Sequence, residues 1–378
     1  MLTSRFEKLN VTTSLLGFGC MRFPKEKGKD TADPALTKAM IHRAMEAGVN
    51  YYDTAYAYGG GNSERTLAAA LDGYPRESYF LANKLPIWML KKEADMERIF
   101  QESLDRCRTD YFDFYLAHSL DRETIPILGK LDVPGFLERK RREGKVRYVG
   151  FSFHDTPEYL RTMLEMHPWD FCQLQINYAD WTLDNAKELY ELTVEYDVPC
   201  IIMEPVRGGF LAAPPEAAAQ VLRQGDGDRS PASWALRFAA SLPNVRVVLS
   251  GMSTPEQVED NLRTFSQPDI RLSPQEEEMV LAAGEALRGR EGIPCTGCRY
   301  CDGCPQGIDI PGIFTDYNKV VVFGDKEGDY ARDYREHILA QGRGADQCVE
   351  CGACTAACPQ GLKIPTLLQK AHETLIKK

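Results

Sequence analysis

The stretch PALTKAMIHRAMEAGVNYYDTA, residues 34–55, contains the pattern that decides the fold of this chain. Its first part has apolar residues at helical spacing, and Pro34 lies in the first turn, where a helix tolerates proline. Gly48 then lies where the helix is expected to stop. Its last part, residues 50–55, is a short run with two tyrosines bounded by Asn50 and Asp53, which is typical of a buried parallel strand. The stretch therefore predicts one helix followed by one strand.

The same alternation continues on both sides, from about residue 15 to residue 265. The predicted strands are 15–21, 50–55, 79–85, 112–118, 146–153, 171–178, 200–205 and 245–251. The predicted helices are 34–47, 63–71, 91–107, 135–143, 157–165, 184–196, 230–240 and 255–265. Eight such pairs in the ~250 residues that the fold needs predict a (β/α)8 TIM barrel. A doubly wound sheet is the alternative, but Gly17 and Gly19 are followed by Cys-Met-Arg, so the GxGxxG dinucleotide fingerprint is absent.

Eight of the twelve cysteines lie in two short runs near the C-terminus. Two-residue gaps let successive thiolates turn inward around one cuboidal cluster, and the second run has the spacing of bacterial ferredoxins. Zinc sites typically use CxxC pairs set well apart, and disulfides would need an exported protein. The runs therefore predict two [4Fe–4S] clusters in a module that resembles a two-cluster bacterial ferredoxin. The predicted ligands are Cys295, Cys298, Cys301 and Cys304 in the first run and Cys348, Cys351, Cys354 and Cys358 in the second.

Length and composition bound the organisation and the partners of the chain. We expect a barrel domain at residues 1–288 and a small α-rich ferredoxin-like domain at residues 289–378. The net charge of −10 argues against nucleic-acid binding. The first residues carry no apolar stretch like that of a signal peptide, and no segment approaches the ~18 apolar residues of a membrane span. We therefore expect a cytoplasmic protein with no membrane or nucleic-acid partner.

Polar side chains end three consecutive predicted strands, where barrel enzymes carry their chemistry. These are Asp53, Lys84 and His118, and Tyr58 lies in the loop just after Asp53. A carboxylate, an ammonium, an imidazole and a phenol brought together can donate a proton to a carbonyl oxygen. Lys84 paired with Asp53 is expected to lower the pKa of Tyr58, and His118 would orient the carbonyl by hydrogen bonding.

These four residues resemble the active site of the aldo/keto reductase family. The segments Asp53–Gly59, Gly61–Glu64, Asn83–Lys84, Tyr115–His118 and Leu16–Met21 carry the resemblance, which covers roughly residues 1–285. It implies a reductase of carbonyls, or a dehydrogenase of alcohols, with Tyr58 as general acid/base tuned by Lys84 and Asp53. A small-molecule carbonyl or alcohol is then the expected substrate. Tyr56 is a plausible bystander.

The nucleotide side resembles the family less closely, and NAD(H) or NADP(H) is the expected cofactor. Gly251 and Gln257 stand where many members have the Lys and Arg that hold the 2′-phosphate, so the usual source of preference for NADP is missing. Arg207 could bind a phosphate, or it could be an ordinary surface arginine. The candidate nucleotide-binding residues are Ser152, Gln173, Asn177, Met203, Arg207, Gly251, Gln257 and Asn261.

The role of the clusters is open at this point. Clusters pass one electron at a time, so coupling them to a two-electron reaction needs a nicotinamide, a flavin or a substrate radical. A soluble ferredoxin or flavodoxin is a candidate electron partner. The alternatives are a reductase that works without nicotinamide, driven by the clusters or through a flavin, and a non-catalytic electron-transfer adaptor. The clusters could also only stabilise the C-terminal segment. The four intact catalytic positions argue against the adaptor.

Overall fold

The structure is a computed structural model that describes residues 1–26, 31–287, 292–293, 295, 301–324, 328–358 and 361–377. The chain divides into two compact units. The first contains residues 1–213 and 222–280, and the second contains residues 214–221 and 281–378. The predicted cluster ligand Cys298 lies outside the described residues. The domain boundary at residue 288 stays a prediction.

The first unit is built around a closed barrel of eight parallel strands. A short antiparallel hairpin, β1 (Thr3–Phe6) and β2 (Val11–Ser14), precedes it. The ring closes because β10 pairs with β3. The (β/α)8 fold is therefore confirmed. The barrel strands are β3 (Leu16–Gly19), β4 (Tyr51–Asp53), β5 (Phe80–Pro86), β6 (Phe112–Leu120), β7 (Val146–Phe153), β8 (Phe171–Gln175), β9 (Cys200–Met203) and β10 (Val245–Ser250).

Helices follow the strands, as the alternation predicts. The Asp33 side chain caps the first of them by accepting the backbone N–H of Leu36 at 3.0 Å. In chain order the helices up to residue 287 are α1 (Pro34–Glu46), α2 (Ser63–Leu71), α3 (Glu93–Cys107), α4 (Ile125–Lys130), α5 (Val133–Arg142), α6 (Pro157–Met166), α7 (Tyr178–Leu183), α8 (Ala186–Glu195), α9 (Glu216–Leu222), α10 (Pro231–Ser241), α11 (Pro255–Phe265) and α12 (Pro274–Leu287).

The structure differs from the predicted sixth strand, which was expected to run from residue 171 to residue 178. The strand β8 ends at Gln175, and Asn177 begins a helix instead. The Asn177 side chain accepts the backbone N–H of Asp180 at 2.9 Å, so it acts as the N-cap of α7. The short helices α4 and α7 and the hairpin β1–β2 were not predicted. Short elements contain too few residues to show a periodic pattern.

The interior of the barrel is filled by large side chains from alternate strands. Tyr51, Phe114 and Phe171 form one buried cluster with Phe6 of the hairpin. The Phe114 ring lies 5.2 Å from that of Phe171, centroid to centroid. Gly150 makes room for this packing, because a Cβ at that position would lie 2.6 Å from the Phe171 ring. Tyr51 and Phe171 are the first residues of their strands, so this cluster fills the barrel toward the amino ends of the strands.

The second unit is rich in helices around a small core of its own, as predicted. Its remaining helices are α13 (Ile310–Phe323), α14 (Asp329–Asp333), a π-helical turn (Tyr334–Ile338), α15 (Ala353–Ala357) and α16 (Ile364–Leu375). Gly324 ends α13 with a φ of 71°, so the segment between the two cysteine runs is not one continuous helix. Among the described residues, none of the helices combines the length and the apolar character that crossing a membrane requires.

Candidate active site and cysteine-rich segment

The structure brings the four predicted catalytic side chains together at the carboxyl ends of three adjacent strands. Asp53 ends β4, Lys84 lies on β5, and His118 lies near the end of β6. The Lys84 Nζ donates to the Asp53 carboxylate and, at 2.8 Å, to the carbonyl of Thr54. It also lies 4.7 Å from the centroid of the Tyr58 ring. The rings of Tyr58 and His118 meet edge to face with centroids 5.6 Å apart.

A tight turn after β4 returns Tyr58 to the strand end. The backbone N–H of Tyr58 donates to the carbonyl of Ala55 at 3.1 Å. Gly59 and Gly60 follow with φ values of 57° and 62°, in the left-handed region that glycine adopts without strain. Thr54 anchors the turn, because its Oγ1 lies 2.9 Å from the Oγ of Ser63. The phenol is thereby fixed beside Lys84.

The charges of this group follow from its burial. Burial works against the Lys84 ammonium, but the adjacent Asp53 carboxylate raises the pKa of Lys84 above its ordinary value. Burial, with further contributions from Lys84 and His154, lowers the pKa of His118 well below its ordinary value. Lys84 is therefore charged and His118 neutral at pH 7. The Nδ1 of His118 is buried and has no hydrogen-bond partner within the described ranges.

The pKa of Tyr58 contradicts the sequence-based expectation. Burial raises the pKa of Tyr58, and this effect outweighs the opposing effect of the Lys84 ammonium. The predicted lowering of the Tyr58 pKa is therefore wrong, although Lys84 acts in the expected direction. The phenol keeps its proton at pH 7, which is the state that a proton donor requires.

Tyr56 is held away from this group by contacts to α3. Its hydroxyl donates to the Glu102 carboxylate at 2.6 Å, and the Arg106 guanidinium lies 4.1 Å from the centroid of its ring. Tyr58 makes neither contact and faces Lys84 instead. Tyr56 therefore contacts α3, whereas Tyr58 belongs to the group around Lys84.

A buried network beneath the site supports Lys84 and was given no role from sequence. Glu64 is fully buried and accepts from the Asn83 side chain at 2.7 Å and from Arg106 at 3.2 Å. The Oδ1 of Asn83 in turn accepts the backbone N–H of Lys84 at 2.8 Å. Both residues stand in the segments that carry the family resemblance, but nothing in a sequence pattern shows which groups they contact.

Two of the predicted nicotinamide ligands have the geometry that a carboxamide would need. Gln173 is buried and donates to the Asp53 carboxylate at 3.4 Å, while its Oε1 is an acceptor with no partner in the described part of the chain. A buried amide oxygen without a donor is costly unless a ligand supplies one. Ser152 is buried two strands from Lys84 and accepts the backbone N–H of Ser119 at 2.7 Å. These positions fit a ligand with an amide group.

Two other predicted nucleotide ligands are engaged inside the protein. Asn177 caps α7, and its Nδ2 also donates to the Asp180 carboxylate at 2.7 Å. The Arg207 Nε donates to the same carboxylate at 2.8 Å, and both side chains of this pair are largely buried. Asp180 therefore joins the loops after β8 and β9. Arg207 is therefore not an ordinary surface arginine, and its binding of a phosphate stays a prediction.

Of the remaining predicted nucleotide ligands, Met203 and Gly251 lie at the ends of β9 and β10, and Gln257 and Asn261 lie on α11. Met203 ends β9 and is half-buried. The Oε1 of Gln257 accepts the backbone N–H of Ser253 at 2.7 Å, and Asn261 donates to the Ser250 hydroxyl at 2.8 Å. Gly251 follows β10 and is exposed, and the side chain of Arg22, a residue given no role from sequence, lies beside it.

Apolar side chains surround the opening of the site. Met21 follows β3, and Trp88 and Met89 follow β5; all three are exposed. The Trp88 ring lies 5.1 Å from that of His118, centroid to centroid. A substrate that reaches His118 would therefore pass an aromatic surface.

The second unit gathers cysteines from both runs on one small core. Cys295, Cys304, Cys348, Cys354 and Cys358 pack against the cluster of buried side chains that includes Cys301. Cys351 is exposed. Over the described residues, no three His, Cys, Asp or Glu side chains converge closely enough to hold a metal ion. The set of donors fits iron–sulfur clusters, whereas the assignment of each cysteine to a cluster stays a prediction.

Comparison with known proteins agrees with this architecture. The model described as "Aldo/keto reductase family" matches residues 15–280, and that described as "4Fe-4S dicluster domain" matches residues 294–362. The "Aldo-keto reductase" of Mycolicibacterium paratuberculosis (strain ATCC BAA-968 / K-10) is 30% identical over 276 residues, which are 72% of this chain and 87% of that protein.

Two further matches, one to a protein sequence and one to a solved structure, cover different shares of the chains. "Probable aldo-keto reductase 1" of Glycine max is 30% identical over 208 residues, and the match covers 52% of this chain and only 57% of the soybean protein. An aldo/keto reductase from Klebsiella pneumoniae, solved in complex with NADP and acetate, is 22% identical with a TM-score of 0.58, covering 74% of this chain and 93% of that one. The structural likeness shows the same fold.

Proposed function

This chain belongs to the aldo/keto reductase family and carries a 4Fe–4S dicluster domain, and we propose that it reduces the carbonyl group of a small molecule, or oxidises the corresponding alcohol, with Tyr58 as general acid/base. The proposal is carried by one observation. Tyr58, Lys84, Asp53 and His118 converge at adjacent strand ends, with the Lys84 ammonium 4.7 Å from the Tyr58 ring centroid. Such convergence of ionisable groups with shifted pKa values is typical of active sites.

Each of these side chains has a distinct task in the proposed reaction. Neutral His118 donates a hydrogen bond to the carbonyl oxygen and holds it near the phenol. Tyr58 then gives its proton to that oxygen as negative charge develops there. The Lys84 ammonium stabilises the phenolate that remains, and Asp53 keeps Lys84 charged and in place. In the direction of alcohol oxidation the proton returns by the same route.

A bound nicotinamide would supply the hydride in this scheme. The unpartnered Oε1 of Gln173 and the hydroxyl of Ser152 support a carboxamide site beside Asp53. The Klebsiella relative was solved with NADP, which agrees with a nicotinamide cofactor in this fold. Arg207 and Asn177 are proposed to shape the loops around this site rather than to touch the cofactor.

The dicluster domain supports electron transfer as a second activity of the chain. We place Cys295, Cys298, Cys301 and Cys358 on one [4Fe–4S] cluster and Cys348, Cys351, Cys354 and Cys304 on the other, because in two-cluster ferredoxins the fourth cysteine of each run binds the other cluster. A soluble ferredoxin or flavodoxin of the cytoplasm is the proposed electron partner. Single electrons from the clusters and the hydride chemistry beside Tyr58 would be coupled only through a centre that accepts electrons one at a time, such as a flavin or a substrate radical.

Anaerobic purification tests this proposal. A visible spectrum of the protein as isolated reports clusters and any flavin, and extraction followed by chromatography identifies a bound nucleotide. Oxidation of NADH or NADPH by a panel of small aldehydes and ketones then tests the reaction itself. We expect cluster absorbance and carbonyl-dependent oxidation of a reduced nicotinamide. Cluster absorbance with a flavin, and no binding of either nicotinamide, would favour a reductase driven by the clusters.

A further inference from the structure

The strand β6 departs from regular pairing with β7 directly beside the histidine that is proposed to orient the carbonyl. Ala117 of β6 pairs with Phe151 of β7. The next pair is Leu120 with Phe153, so β6 advances by three residues where β7 advances by two. One extra residue on one strand is a β-bulge, which bends that strand and is often found next to active sites, where it redirects a side chain. Ser119 lies in this bulge.

Ser119 has a backbone conformation that a residue with a side chain rarely adopts. Its φ is 56°, in the left-handed region. Its N–H donates to the hydroxyl oxygen of Ser152 at 2.7 Å, and its carbonyl accepts the Thr124 hydroxyl at 3.3 Å. Ser152 is itself buried. Because a non-glycine residue adopts this conformation at a cost, the two side-chain contacts are what retain it.

The neighbouring imidazole of His118 is not held by a hydrogen bond at Nδ1. A functional histidine is commonly oriented by a hydrogen bond at one of its ring nitrogens. The Nδ1 of His118 is buried and has no such partner in the portion of the chain that the structure describes. Its ring contacts the rings of Tyr58 and Trp88 instead, with centroids 5.6 and 5.1 Å away. The direction of the imidazole therefore depends strongly on the backbone that carries it.

We propose that Ser119 and Ser152 are positioning residues for His118, because the hydrogen bond between them retains the bulge that aims the imidazole at the carbonyl oxygen. This inference rests on the proposed function, since it presupposes that His118 orients a carbonyl. The Ser152 hydroxyl accepts the Ser119 N–H through a lone pair and keeps its own hydrogen for a ligand. Without the bulge, His118 would hold the carbonyl away from Tyr58, and a misplacement of about 1 Å can cost ~100-fold in rate.

The conformational preference of residue 119 provides the test. Ser119→Val introduces a β-branched side chain that strongly disfavours a positive φ, whereas Ser119→Gly adopts the same φ without strain. The kcat and KM for the aldehyde or ketone that the unmodified protein reduces fastest are measured with saturating nicotinamide on the full-length protein with its clusters. We expect kcat/KM to fall roughly 10- to 100-fold in Ser119→Val and to stay within about threefold of its original value in Ser119→Gly.

Arg108 offers a matched control at the opposite end of β6. It follows α3, is exposed and has a φ of 51°. Arg108→Val creates the same backbone conflict far from the site, so it should lower the melting temperature and leave kcat/KM unchanged. Thermal unfolding of all variants is followed in parallel. A purely structural role of Ser119 would give both valine variants this same result, which would overturn the proposal.

A double-mutant cycle tests the part of Ser152. Ser152→Ala removes the acceptor of the Ser119 N–H, so the loss in kcat/KM of the double variant with Ser119→Val should be smaller than the product of the two single losses. Multiplicative losses would overturn the proposal, as would equal losses in Ser119→Val and Ser119→Gly. In these cases the proposed function stands. If the unmodified protein reduces no carbonyl compound of the panel, the proposed function and this inference fall together.

Discussion

The Lys84 ammonium lies 4.7 Å from the centroid of the Tyr58 ring, while it also donates to the Asp53 carboxylate. Lys84 thus connects the group that would move a proton to the group that keeps the lysine charged. Because Lys84 and Asp53 are buried and Tyr58 is half-buried, water screens these contacts little, and the loss of one partner should alter the pKa of the other. This triangle is the part of the site on which the following predictions depend.

Replacing Tyr58 by phenylalanine should abolish most of the turnover while the protein stays folded. Tyr58→Phe removes one hydroxyl and keeps the ring, and positioned proton transfer is worth about 10²–10⁴-fold in rate. Lys84→Met should act in the same direction, because the phenolate would lose the charge that stabilises it. Steady-state kinetics with a carbonyl substrate measure both effects, and far-UV circular dichroism checks the fold.

Tyr56→Phe is the control for this experiment. The Tyr56 hydroxyl donates to Glu102 on α3 and does not contact Lys84. Its loss should leave turnover nearly unchanged. Full activity in Tyr58→Phe would falsify the assignment of the proton donor.

Ionisation of Tyr58 should not lower the rate of carbonyl reduction near neutral pH. Burial raises the pKa of Tyr58 above its ordinary value of 10.0, so the phenol keeps its proton throughout the neutral range. We expect kcat for reduction to be level from about pH 6 to about pH 9 and to fall only when the phenol ionises at higher pH. A fall centred between these values that Tyr58→Phe removes would show that the cofactor or the substrate reverses the shift.

The nucleotide preference should be weak. Gly251 and Gln257 replace the two cations that favour the 2′-phosphate, so NADH should bind at least comparably to NADPH. Calorimetric titration of both nucleotides into the same preparation measures the ratio. A preference for NADPH above about 100-fold, or ~2.7 kcal/mol, would reveal a 2′-phosphate site.

The dicluster domain should hold about eight iron and eight sulfide per chain when prepared anaerobically, as two cubane clusters require. Colorimetric iron and sulfide determination measures this directly. Zinc in place of iron, or iron for only one cluster, would contradict the assignment of all eight cysteines.

Cys304→Ala examines how the cysteines are shared. Under the proposed crossed ligation, Cys304 completes the cluster whose other ligands are Cys348, Cys351 and Cys354. The variant should therefore alter the electron paramagnetic resonance signal of that cluster and leave the other signal intact. Cys107→Ala is the control, because Cys107 is buried at the end of α3 and belongs to neither run.

The barrel was predictable because the pattern of a short apolar strand followed by an amphipathic helix is repeated eight times along the chain. The strand β7, Val146–Phe153, has the predicted bounds, and the other barrel strands differ by a few residues at their ends. Asp53, Lys84 and His118 could be selected because the fold predicts where parallel strands end, and Tyr58 because it lies in the loop that follows one of these ends. Local pattern and global topology agree in these segments, which is why sequence reasoning works there.

The contacts of the nucleotide side could not be predicted in the same way. Arg207 and Asp180 meet although 27 residues separate them, and nothing local to Arg207 shows this buried partner. An asparagine can bind a ligand through its amide or can cap a helix, and in the structure Asn177 caps α7. The pKa of Tyr58 depends on how deeply the ring is buried, which only the folded chain determines.

The pairing of β3 with β10 sets an order for the synthesis of this protein. The strand β3 cannot pair with β10 before β10 has been synthesised. The barrel therefore stays open until Ser250 has emerged from the ribosome. Both cysteine runs are translated after that point, and chains generally fold from the N-terminus as they appear. The ring can therefore close before any of the predicted cluster ligands has emerged from the ribosome.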